Sequence, residues 1–241
     1  MSKRIFTKLS KTMPKYLVVL SGILIGSTGL MSTPVIAGDK TATDLIFSAP
    51  YIKQLNHPAK INYHYKHDTP TPEEYGAIFE ERVSVNVKEP TLEGGFNSVS
   101  ISLKSEDRDS ELGPFENTSG NPVVMMFLER ELTQMRSKVG GTPVYFRNTI
   151  RRAFRDSALV EQSEVTLKGE KIPASKIVIK PFIDEQNIGR FGKYRGKVFE
   201  ITVADKVPGG IFEMRSFIPG EKADDASLMT NELKYQEPDA Q

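Results

Sequence analysis

The sequence predicts an α+β fold, in which a curved antiparallel sheet, an incomplete barrel, wraps over an internal two-helix hairpin. Three observations carry that prediction. Residues alternate between apolar and polar before position 104 and again after position 158. Between these blocks, residues 121–157 place apolar side chains at helical spacing instead. Short Gly- and Pro-containing turns separate the later strands, which suits neighbouring antiparallel pairs.

The first residues read as an export signal. Lys3, Arg4, Lys8, Lys11 and Lys15 form a basic start without any acidic residue, and residues 16–30 form an apolar run. That run is short for a membrane span, and MSTPVIAG follows it with Val35 and Ala37 placed for cleavage after Ala37. The expected division is a signal peptide over 1–37, an N-terminal arm over 38–58, and one α+β domain over 59–241. Removing the signal leaves 204 of the 241 residues and moves the formal charge from +1 to −4. One domain of this size buries a sizeable core unaided. The chain has no cysteine, which excludes disulfides, zinc-thiolate sites and a cysteine nucleophile. The charge balance gives no general affinity for nucleic acid.

The elements follow in order. Over 60–67, Ile61, Tyr63 and Tyr65 share one strand face, while Asn62, His64 and Lys66 share the other. Val83, Val85 and Val87 turn inward over 81–87, as do Val99, Ile101 and Leu103 over 96–103, with a hairpin turn at Glu93-Gly94-Gly95. Residues 105–122 read as an acidic, turn-rich loop. Asn121 then caps a helix whose first turn takes Pro122, and Gly140-Gly141 ends it. Thr142-Pro143 repeats the cap-then-proline signal for a second helix. Val124, Phe127, Leu128, Leu132, Met135 and Val139 on the first helix, and Phe146, Ile150 and Phe154 on the second, are the expected core. Five strands follow, over 160–167, 177–183, 197–203, 211–218 and 228–235, with residues 189–196 as a glycine-rich turn.

Strands before and after an internal helical pair, in an exported chain of this length, resemble the LolA/LolB lipoprotein-carrier fold. The resemblance implies an incomplete barrel closed by helices around acyl chains. It carries over no binding residue, and the lipidated cysteine of LolB-type proteins has no counterpart here. The phrases NPVVMMFLERE, GGTPVYFRNTI and VADKVPGGIFEMRS also resemble a group of secreted bacterial proteins to which no activity is attached.

Catalytic signatures are absent: there is no G-x-S-x-G elbow, HExxH motif or Walker loop. The three histidines, His57, His64 and His67, include a pair on opposite strand faces, which does not make a metal site. The acidic stretch Glu106, Asp107, Asp109, Glu111 fails as a calcium loop, because Leu112 and Thr118 stand where glycine and glutamate belong. No cofactor or metal is expected.

These observations favour a non-enzymatic periplasmic carrier or binding protein for a lipid or acylated ligand. Tyr63, Tyr65, Met125, Met126 and Phe127 are the expected lining, since methionine adapts to irregular apolar partners. Two basic features point to an anionic membrane surface. One is Arg190, Lys193, Arg195 and Lys197, interleaved with Phe191 and Tyr194; the other is Arg147, Arg151 and Arg155 along the second helix. The alternative is a structural or protein-interaction domain of the cell envelope with a solid core. A hydrolase of unknown type is the third reading. No protein partner is indicated.

Overall fold

A computed structural model describes residues 40–55, 58–88, 98–222 and 224–238. The expected signal peptide, His57 and the Glu93-Gly94-Gly95 turn lie outside the described residues.

Nine strands make one open antiparallel sheet: β1 (Ala59–Asp68), β2 (Phe79–Val87), β3 (Ser98–Lys104), β4 (Asp109–Glu116), β5 (Leu159–Leu167), β6 (Glu170–Ile179), β7 (Val198–Val203), β8 (Ile211–Ile218) and β9 (Met229–Gln236). Their order across the sheet is β4-β3-β2-β1-β9-β8-β7-β6-β5. Two meanders, β1–β4 and β5–β9, therefore meet along the β1–β9 pair, where Tyr63 stands opposite Tyr235 and His67 opposite Asn231. Alternation sets which side is buried: Ile61, Tyr63, Tyr65 and His67 point inward from β1, as do Val83, Val85 and Val87 from β2.

Between the meanders run two consecutive helices, α2 (Val123–Val139) and α3 (Pro143–Asp156), numbered after a short α1 (Pro72–Tyr75). Asn121 Oδ1 accepts from the Val123 N–H at 3.1 Å, and Thr142 Oγ1 accepts from the Tyr145 N–H at 3.3 Å. These bonds satisfy donors that a helix start leaves open. Gly140 (φ 64°) and Gly141 (φ 100°) make the break between the helices in backbone that side chains resist. All nine apolar residues expected in the helical core are buried. Each contributes about 1.5–3 kcal/mol before chain entropy is charged against it.

The structure corrects the expected elements in three places. Residues 109–116, read as loop, form β4, which pairs with β3 through a register shift between Val99 and Ile101. Acidic residues, Gly113 and Pro114 hide its alternation, and such residues suit an edge strand that must not recruit another. The strand expected over 177–183 instead ends at Ile179 and begins at Glu170. Its Pro173 lies beyond the last pairing with β7 at Ser175, so no ladder donor is missed on that side. Finally, residues 189–196 are not a hairpin tip. A short α4 (Ile188–Phe191) runs into a 3-10 turn (Gly192–Gly196), and Phe191 and Tyr194 are buried.

Candidate functional site

A cavity of about 1460 Å³ opens between α2 and the first meander. Its wall on the sheet side comes from the inward residues Tyr65, His67, Phe79, Glu81 and Leu103, extended by Leu112 and Phe115 of β4. Across from them lies one face of α2. Met125, Met126, Glu129, Arg130, Thr133 and Gln134 recur in pairs four residues apart, the spacing that stacks side chains on one side of a helix. Phe47, from a π-helical turn at Asp44–Ser48, and Tyr75 of α1 complete the rim.

The lining is graded along α2. Its beginning presents Met125 and Met126, near Phe47, whereas its later turns present Arg130 and Gln134. At 1.5 Å rise per residue, Met125 and Gln134 are about 13 Å apart along the helix. One end of the cavity is thus apolar and the other polar.

The polar end is built from buried groups. Arg130 Nη2 donates to Glu81 Oε2 at 2.5 Å, and its guanidinium lies 4.7 Å over the Tyr65 ring. Burial pushes the Tyr65 phenol well above its ordinary range, with the Glu131 carboxylate adding to the shift. Behind this pair, Lys197 Nζ sits 2.5 Å from Glu131 Oε2, and Asn231 Nδ2 donates to Glu131 Oε1 at 2.7 Å and to Gln134 Oε1 at 3.1 Å. Asn231 Oδ1 meets His67 Nδ1 at 2.5 Å, and the His67 ring stacks on Phe79. Three polar atoms in this cluster are buried and have no hydrogen-bond partner among the described residues: Glu131 Oε2, which faces Lys197 as an ion pair, and Arg130 Nη1 and His67 Nε2, which face no such charge.

Of the five residues expected to line a ligand site, Tyr65, Met125 and Met126 line the cavity. Tyr63 and Phe127 do not. Both are fully buried in the core, where the Tyr63 hydroxyl accepts from Asn121 Nδ2 at 2.8 Å. Most of the expected basic residues are engaged by partners within the chain. Lys197 corrects the expectation outright, because a side chain with no exposed surface, held by Glu131, touches no membrane. Arg147 forks onto Glu129, Arg155 onto Asp156, and Lys193 pairs with Glu221. Arg190 Nε donates to the Val139 carbonyl at 2.6 Å, capping the end of α2. Arg151 is exposed, and Arg195 is half-buried near the same 3-10 turn. His64 pairs with Glu80 on the outer face, away from His67. Among the described residues no three His, Asp or Glu side chains form a metal-binding group.

The sequence alone does not single out Glu81, Glu131 or Asn231, and it offers His67 only as a metal ligand to be rejected. Each stands in phase with an apolar stripe: His67 with Tyr65, Glu81 with Val83, Glu131 with Leu128 and Met135, and Asn231 with Leu233. A polar residue interrupting a buried stripe was the available signal.

The sequence matches no protein-family model and no curated protein sequence. Among solved structures it is similar to the crystal structure of the Mycobacterium tuberculosis lipoprotein LppX, at 12% identity and a TM-score of 0.29, covering 75% of this chain and 86% of that one. An overlap at that level defines neither family nor ligand. No helix among the described residues is long and apolar enough to cross a membrane.

Proposed function

We propose that the protein is a non-enzymatic periplasmic carrier or binding protein for an apolar or acylated ligand, held between a curved sheet and α2, the first helix of the hairpin. The cavity carries this reading. Its volume of about 1460 Å³ exceeds the roughly 300–1,000 Å³ of ordinary small-molecule sites. Phe47, Phe79, Leu112, Phe115 and Met125 are large apolar side chains left exposed, and all five line it. Apolar surface gathered in one concavity marks a binding site, whereas scattered single residues would not. A domain with a solid core working through its surface would not need it. The periplasmic location rests on the basic start, the short apolar run and the Val-Ile-Ala site, and an intact mass beginning at Gly38 tests it.

The ligand reading is tested by titrating lipid-stripped protein with a fluorescent fatty acid. The parent is expected to take up the probe. Met125→Asp combined with Leu112→Lys is expected to weaken uptake at least tenfold, by placing charges where the chain would lie, without shifting the melting curve. Both positions are substantially exposed, and an acidic residue near a helix start is well tolerated. A parent that takes up neither this probe nor a neutral acyl ester overturns the reading.

A further inference from the structure

We propose that the polar end of the cavity selects a neutral, hydroxyl-bearing ester head group, of the monoacylglycerol type, over the free carboxylate of a fatty acid. This rests on the carrier reading above and names its ligand class.

The argument starts from hydrogen-bond inventory. Asn231 Nδ2 spends its protons on Glu131 and Gln134, so Asn231 Oδ1 is an acceptor and the network puts the shared proton on His67 Nδ1. An imidazole with its proton on Nδ1 leaves Nε2 with a bare lone pair. That atom is buried and unpartnered, on a residue only 3% exposed that lines the cavity. It asks for a donor, such as a hydroxyl. Arg130 Nη1 is the complementary case, a buried N–H that asks for an acceptor such as an ester carbonyl. The two groups come from facing walls, Arg130 from α2 and His67 from β1, and line the same end of the cavity. Arg130 covers Tyr65, His67 follows two residues along the same strand face, roughly 7 Å further on, and Phe79 stacks against both rings.

Charge decides against an anion. Arg130 already faces Glu81, and the Lys197 charge behind the wall is matched by Glu131. Glu129, lining the same face, is matched by Arg147. Among the described residues, the charged side chains lining the cavity are Glu81, Asp107 and Glu129 against Arg108 and Arg130, so the lining offers no net positive charge to replace the water that a carboxylate would lose on entry. A head group carrying both a carbonyl and a hydroxyl satisfies both orphan atoms without bringing charge. The apolar end, about 13 Å away along α2, takes the chain.

Three chain-matched probes test this by displacement of a fluorescent acyl probe at pH 8: monomyristoylglycerol, methyl myristate and myristate. The parent is expected to bind the glycerol ester at least fivefold tighter than myristate, with the methyl ester, which accepts but cannot donate, between them. His67→Phe keeps a ring against Phe79 but removes the acceptor, and should erase the advantage of the glycerol ester over the methyl ester. Arg130→Lys keeps a charge opposite Glu81 but loses the second fork nitrogen, and should weaken both esters. Retained binding of the fluorescent probe shows that a variant has kept its fold. If a variant loses the fold, the ranking by the parent still decides. Equal binding of all three ligands, or tightest binding of myristate, overturns the head-group inference alone. Failure of the parent to bind any chain overturns the carrier reading itself.

Discussion

Lys197 Nζ lies 2.5 Å from Glu131 Oε2 with neither side chain exposed, so the core contains a complete ion pair. Removing one member strands the other charge in a dry interior. Lys197→Met is expected to lose about 3–5 kcal/mol of stability, whereas the double variant Lys197→Met/Glu131→Gln should recover most of that loss. Urea midpoints of the two variants check this. A single variant as stable as the parent would show that water reaches Glu131.

Asn121 joins three elements at one point. Its Oδ1, one residue before the Pro122 cap position, accepts from the Val123 N–H at the start of α2, and its Nδ2 donates to the Tyr63 hydroxyl at 2.8 Å and to the Gly209 carbonyl at 3.0 Å. Asn121→Ala should cost about 2–3 kcal/mol, combining a lost acceptor at the helix start with a buried tyrosine hydroxyl left without its donor. A loss below about 1 kcal/mol in denaturant melts would mean that the neighbours re-form these bonds.

The two glycines between the helices should respond unequally to substitution. At Gly140 an added Cβ meets nothing within 4 Å, so alanine there carries the positive-φ strain alone, about 1 kcal/mol. At Gly141 the Cβ would sit 2.2 Å from Arg190 Nη2 and 3.3 Å from the Phe146 ring. Gly141→Ala should therefore be the more destabilising, because relief would pull Arg190 from the Val139 carbonyl. Thermal melts that rank the two variants the other way would refute this geometry.

The Arg147–Glu129 pair offers a pH and salt test. The Arg147 hydrogen bonds hold the Glu129 carboxyl below its usual range. A lowered folded-state value stabilises the protein above the ordinary carboxylate range, and that stabilisation fades as pH falls through the folded-state value. Both side chains are about two-fifths exposed, so the effect is small and screened. Arg147→Ala should lower the melting temperature slightly at pH 7 in low salt, and less at pH 3 or in molar salt. An undiminished difference under either condition would place the role of Arg147 in packing.

The parts of the fold that could be read directly are those where one local pattern suffices. The inward faces of β1, β2 and β3 follow from strict alternation, and the ends of α2 and α3 follow from Asn121, Gly140-Gly141 and Thr142-Pro143. The polar end of the cavity depends on partners far apart in the chain. Lys197 reads as a surface cation until Glu131 is placed beside it, and His67 reads as a strand polar residue until Asn231 stands opposite. Phe191 and Tyr194 read as part of a glycine-rich turn at a membrane surface because cations surround them, yet Phe191 packs against Phe146 and Phe182, and Tyr194 against Tyr75. The apolar wall was only partly legible because β4, which supplies Leu112 and Phe115, hides behind charge and proline.

The pairing of β1 with β9 has a kinetic meaning. Within each meander, strands pair with sequence neighbours and close short loops, so both can form early. The β1–β9 seam joins residues near opposite ends of the domain and bears the larger loop-closure entropy. His67 and Asn231 are register partners across that seam, and the same two side chains anchor the polar end of the cavity. The polar end of the cavity is therefore closed by the strand pairing with the longest loop to close, and a ligand seated against His67 would act as a clasp on that seam.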